Sequence, residues 1–161
     1  MPHSAFALRN CIATLAIASG MALATAPATA ATNSKAVDAL SRLSAADLDT
    51  RTGPGQAFLK TFFIDPAKTC GYATPRLPFD KLCQWYADPQ SDAVFPDLMV
   101  GLAKGRMVSV VTAEPKRLKP GTWTCEKADP GRIAVCFART IDPATQRRWS
   151  KAWHSFLDSA N

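Results

Sequence analysis

The sequence predicts an α+β domain: N-terminal helices, a small antiparallel sheet of about three strands with a disulfide-linked hairpin, and a C-terminal amphipathic helix packed on the sheet. Three observations carry this expectation. The apolar period changes from helical to β after Gly105, two cysteines are spaced to fall opposite one another in a symmetric hairpin, and the last stretch of chain bears an apolar stripe at helical spacing. Helices followed by adjacent strands favour α+β over alternating α/β. The 161 residues are 47% hydrophobic and 20% charged, with 8 Gly and 12 Pro. That globular balance excludes a largely disordered, collagen-like or low-complexity chain. No repeat of fixed period is present, which excludes solenoids and propellers.

Residues 1–30 read as a signal peptide and 31–161 as one exported domain. Arg9 precedes an acid-free apolar run from Cys11 to Ala26, and Ala28-Thr29-Ala30 supplies the small-x-small pattern of a cleavage site, so cleavage is expected after Ala30. The run is short, threonine-rich and interrupted by Gly20, which disfavours a membrane anchor. The expected location is the periplasm or the secreted fraction.

Within the domain, Val37, Leu40 and Leu43 mark a first helix from about Lys35. Ser44 reads as the cap of a second, with Asp47 in its first turn, and Gly53-Pro54-Gly55 as its stop. Phe58, Leu59, Phe62 and Phe63 share one face of a short helix from Gln56 to Ile64, although Thr61-Phe62-Phe63-Ile64 is also β-prone. From Ala67 to Asp97 the pattern is irregular, with a short helix expected from Asp80 to Tyr86. Pro96 can open a further helix carrying Leu98, Met99 and Leu102 and capped by Gly105. Arg106 to Ala113 reads as a valine-rich strand, and Glu114 to Gly121 as a connection into a hairpin spanning Thr122 to Thr140. Neither face of that hairpin is cleanly polar, so it belongs in a sheet covered on both sides or caps one end of the core. Asp142-Pro143 starts the last helix, where Trp149, Ala152, Trp153, Phe156 and Leu157 form the apolar stripe.

Cys11 leaves with the leader, and Cys70, Cys83, Cys125 and Cys136 remain. An even number in an oxidising space reads as two disulfides. In the hairpin, Pro130 presets φ and Gly131 can take the positive φ of a type II turn. If the strands are symmetric about these two residues, Cys125 falls opposite Cys136, which leaves Cys70 with Cys83 by elimination. Neither the wide spacing nor the lack of C-x-x-C fits a zinc knuckle or a redox dithiol, so no metal or cofactor is implied.

The formal charge is +6, and it is uneven. Ala31 to Met99 holds 7 basic and 8 acidic side chains, whereas Val100 to Asn161 holds 11 and 5. A basic face attracts nucleic acid, anionic lipid, acidic wall polymer or an acidic protein, and export disfavours nucleic acid. A solvated basic surface without a partner accounts for the same charge.

A catalytic constellation is hard to assemble. His154 is the one histidine after the leader, and no nucleophile elbow, zinc-protease motif or phosphate-binding loop is present. Carboxylates remain as candidates, namely Asp88, Asp92, Asp97, Glu114 and Glu126, but turn formation and helix capping explain the aspartates near Pro89 and Pro96 as well. The expected function is therefore that of a non-enzymatic exported binding protein, such as an inhibitor or immunity-type partner of another envelope protein. The expected contacts are the aromatic anchors Trp85 and Tyr86 in the loop held by Cys70 and Cys83, together with Arg117, Lys119, Arg147 and Arg148. The alternatives are a small envelope hydrolase using carboxylates, and a basic module adhering to anionic polymer or lipid.

Overall fold

Strands buried on both faces set the architecture, because they need a helical layer on each side. A computed structural model of the chain describes residues 29–63, 70–72, 76–86, 96–126 and 133–159. The helices are α1 (Thr29–Ser41), α2 (Gly53–Phe62) and α3 (Pro143–Ser159). The strands are β1 (Cys70–Tyr72), β2 (Lys81–Trp85), β3 (Leu98–Ala103), β4 (Arg106–Thr112), β5 (Trp123–Cys125) and β6 (Ala134–Ala138). They form one six-stranded antiparallel sheet in the order β1-β2-β3-β4-β6-β5. Residues 1–28 of the expected leader, the expected turn at Asp129 to Arg132, and Asp88 and Asp92 lie outside the described residues.

The α+β class agrees with the expectation, and the strand count does not: six strands replace about three. The segment expected as a helix from Asp80 to Tyr86 is β2, and the one expected to start at Pro96 is β3. Both errors have one cause. β3 is buried at five consecutive positions, Leu98 to Leu102. Leu98, Val100 and Leu102 face the α1–α2 layer, while Met99 faces the α3 layer. A strand covered on both faces loses the alternation that distinguishes it from a helix. Gly105 is likewise not a helix cap. Lys104 at φ 51° and Gly105 at φ 72° form the two-residue turn joining β3 to β4, where positive φ at both central positions matches the twist of the strands.

On one face α1 and α2 bury Val37, Leu40, Phe58, Leu59 and Phe63 against Leu98, Val100, Val110, Trp123, Cys136 and Ala138. Between the two helices a 3-10 turn, Ala45–Leu48, replaces the second helix expected after Ser44. The Asp47 carboxylate accepts from both the amide and the hydroxyl of Ser44, and these bonds hold its pKa below the usual carboxylate range. Gly55 in the first turn of α2 is required by close approach: a Cβ there would lie 2.2 Å from the Asp49 carbonyl oxygen and 2.3 Å from that of Asp47.

On the other face α3 lays its stripe over Leu82, Met99, Val108, Val111, Val135 and Phe137. Asp142 caps it, accepting from the Thr145 amide at 2.9 Å. Trp153 is fully buried at the centre of this layer, and its indole Nε1 donates to Ser109 Oγ at 2.8 Å. The Ser109 hydroxyl donates onward to the Cys136 carbonyl at 3.1 Å. β4 bulges here: Gly101 pairs with Ser109 and Leu102 with Met107, so Val108 is the extra residue.

Each end of the sheet carries a cross-strand disulfide. Cys70 joins Cys83 between β1 and β2, and Cys125 joins Cys136 between β5 and β6, each pair directly opposite in register with Cα atoms 3.9 Å apart. Edge strands of three residues make few ladder bonds, and covalent closure of each short loop contributes about 3 kcal/mol against unpairing. Two disulfides fit an oxidising compartment. Among the described residues no helix is long and apolar enough to cross a membrane.

Candidate functional site

A concavity opens where α2, the β1–β2 end of the sheet and the β3–β4 turn meet. It is a cleft of about 550 Å³, lined by Thr50, Arg51, Gln56, Leu59 and Lys60 on the helix side, and by Cys70, Asp80, Lys81, Leu102 and Gly105 on the sheet side. Leu59, Cys70 and Leu102 are buried and supply an apolar floor.

Hydrogen bonds fix the rim. The Thr50 amide and hydroxyl both donate to the Gly105 carbonyl at 2.8 Å, tying the approach to α2 onto the β3–β4 turn. Asp80 steadies the same turn: its amide donates to the Leu102 carbonyl at 2.8 Å and its carboxylate accepts from the Lys104 amide. Arg51 lies across Gly105, where a Cβ would come within 2.9 Å of Arg51 Cδ. Its guanidinium makes a two-pronged bond to Asp49, with Nε at 3.0 Å from Oδ1 and Nη2 at 2.6 Å from Oδ2. That pairing drives the Asp49 pKa far below the ordinary carboxylate value, so the pair stays ionised at neutral pH.

Lys60 and Lys81 are exposed, and among the described residues neither has a hydrogen-bond or ion-pair partner. Arg51 is balanced by Asp49, and Lys60 and Lys81 outnumber the Asp80 carboxylate, so the lining keeps a net positive charge. Two lysines against one carboxylate over an apolar floor, on a wall tied by a disulfide, can hold an anionic group whose neighbours are apolar.

The structure separates the residues expected at the contact. Trp85 is half-buried and packs against the α1–α2 core, with its ring edge-on to Phe62 at 6.3 Å. Tyr86 is half-buried beside it in sequence. Arg117 sits in a 3-10 turn, Pro115–Arg117, on the same side of the sheet and is paired with Asp38 of α1 and with Glu114. Exposed Lys119 follows, and its charge helps to hold the Asp47 pKa down. Arg147 and Arg148 are exposed on α3, behind the sheet. The basic half of the chain is thus split between two faces. Arg51, Lys60 and Lys81 of the cleft come instead from the part of the sequence that is close to neutral, and no local signal links Lys81 of β2 to the two cations at α2, because they meet only through the fold.

Of the catalytic candidates, His154 Nε2 lies 2.9 Å from Glu126 Oε2 at the surface, and Glu114 is engaged by Arg117. Asp97 is half-buried and has a bonding partner. Among the described residues no group of three or more His, Cys, Asp or Glu side chains could hold a metal ion. No family model, curated protein or solved structure matches this chain.

Proposed function

We propose that the protein is an exported binding domain, freed of its leader after Ala30, that takes an acidic segment of another envelope or secreted protein in the cleft between α2 and the β1–β2 edge. The observation that carries this reading is the pair of exposed lysines, Lys60 and Lys81, without an ion-pair partner among the described residues, over the apolar floor of Leu59 and Leu102. Carboxylates of the partner pair with the ammonium groups while an adjacent apolar side chain covers the floor. The Cys70–Cys83 bridge and the Thr50–Gly105 bonds hold the walls before the partner arrives, so little ordering entropy is lost on binding.

The test is quantitative capture of envelope proteins on immobilised oxidised domain, read by mass spectrometry. A partner retained by the unaltered domain should fall about tenfold or more in the Lys60→Glu/Lys81→Glu variant. It should be retained by an Arg147→Glu/Arg148→Glu variant, which reverses an equal number of charges behind the sheet. Equal capture by the cleft variant would refute the reading.

A further inference from the structure

A second, separate site lies on the opposite face of the sheet. One turn before Trp153, the Trp149 indole is half-buried. Phe79 meets it edge to face at 5.2 Å and 82°, and Phe137 lies 6.5 Å away, so core packing fixes the ring. Trp149 also lines a surface notch of about 380 Å³, together with Leu77 and Pro78 from the segment before β2 and Ala152 from α3. The remaining lining residues are two arginines, Arg76 and Arg148, brought together from distant parts of the sequence.

Among the described residues nothing neutralises the two guanidiniums. Both are exposed, and among the described residues neither is in an ion pair and no carboxylate lines the notch. Arg148 Nη2 donates to Thr145 Oγ1 at 3.0 Å, an uncharged partner one turn back that restrains the side chain and leaves its other donors available. Arg147 and Lys151 are exposed on the same helix and add positive potential.

We propose that this notch binds a small ligand in which one ring carries an oxyanion. The ring lies against the Trp149 indole and the Leu77–Pro78 wall, and the carboxylate or phosphate is held by Arg76 and Arg148. Planar guanidinium forks match both oxyanions through paired N–H donors, and an indole fixed by packing offers apolar area at little entropic loss. The volume is at the small end of ligand pockets, which suits one ring rather than a folded partner. This site shares no residue with the lysine cleft, so the two readings stand or fall separately.

Heteronuclear NMR of the mature oxidised domain tests it, with the Trp149 indole N–H and the Arg148 Nε–H as reporters. The probes are glucuronate, a carboxylate on a sugar ring, and adenosine 5′-monophosphate, a phosphate attached to a nucleoside, with glucose and adenosine as neutral controls. The expected result is a saturable shift of both reporters with at least one charged probe below about 10 mM, and none with its neutral control. Response to glucuronate alone marks a carboxylate ligand, response to the nucleotide alone a phosphate ligand, and response to both the shared oxyanion chemistry. An Arg76→Ala/Arg148→Ala variant, both positions being exposed, should keep the native spectrum and weaken binding about tenfold or more. Silence of both charged probes, equal shifts from the neutral controls, or undiminished binding by the variant would overturn the proposal.

Discussion

Replacing Ser109 by Ala removes one oxygen atom from the middle of the α3 layer and should cost far more than its size implies. Ser109 and Trp153 are both fully buried. The Ser109 hydroxyl accepts from Trp153 Nε1 at 2.8 Å and donates to the Cys136 carbonyl at 3.1 Å. In Ser109→Ala the indole N–H is left in a dry core without an acceptor, which costs about 1–3 kcal/mol. The lost donor to Cys136 adds to this, giving an expected destabilisation of roughly 2–3 kcal/mol. For a domain of this size each kcal/mol lowers Tm by roughly 4 °C, so the melting point should fall by roughly 8–12 °C. Urea unfolding followed by circular dichroism measures the free energy, provided that the slope with denaturant stays unchanged. A double-mutant cycle isolates the cause. In a Trp153→Phe background no indole donor remains to be orphaned, and Ser109→Ala should then cost no more than about 1 kcal/mol. A loss below about 0.5 kcal/mol in the native background, or the same loss in both backgrounds, would refute the hydrogen-bond argument.

Three further outcomes follow from the same physics. Trp123 Nε1 is buried without a hydrogen-bond partner among the described residues, so Trp123→Phe sheds an unpaired donor and should cost at least about 1 kcal/mol less in urea unfolding than Trp153→Phe; equal costs would contradict this. Gly55→Ala places a Cβ against two backbone carbonyl oxygens that cannot rotate away, and a loss of about 4 kcal/mol or more is expected, seen as an unfolded or strongly destabilised domain; a native Tm would show that the α2 approach is looser than described. Asp47, Asp49 and Asp142 all have folded pKa values below the ordinary carboxylate value, held there by Ser44, Arg51 and Thr145 respectively. A depressed folded pKa adds stability that is complete above the unfolded value of about 3.9 and is lost as pH falls towards the folded value. The urea midpoint should therefore hold steady down to about pH 5 and drop below about pH 4, with a shallower drop in Asp142→Asn, which keeps a capping acceptor but cannot titrate. An identical acid slope in that variant would remove Asp142 from the explanation.

What was legible in the sequence depended on how many faces an element buries. α3 has one apolar stripe and a solvated back, so Trp149, Ala152, Trp153, Phe156 and Leu157 announced both the helix and the face it turns to the sheet. The hairpin was legible through symmetry, since Cys125 and Cys136 need only equal strand lengths to meet. β2 and β3 were misread because burial on both sides put apolar residues at consecutive positions, and Leu98, Met99 and Leu102 then match helical spacing by coincidence. The β3–β4 turn was hidden because Lys104 occupies a positive-φ position where Asn or Asp would have signalled it. Charge counting located an excess in the second half of the chain, but the sheet divides Arg117 from Arg147 and Arg148. The cleft draws its cations from two separate segments, Arg51 and Lys60 at α2 and Lys81 of β2, and no spacing rule connects the two.

The compartment and the covalent closure of both sheet edges underlie the whole account, and one measurement reaches them together. Protein expressed with its full N-terminus in a secreting bacterial host and recovered without reductant should be alkylated, digested and sequenced by mass spectrometry. The account predicts a chain beginning at Ala31, cross-linked peptides joining Cys70 to Cys83 and Cys125 to Cys136, and no alkylated cysteine among the four. A chain that keeps Met1 and carries four alkylated thiols would contradict it.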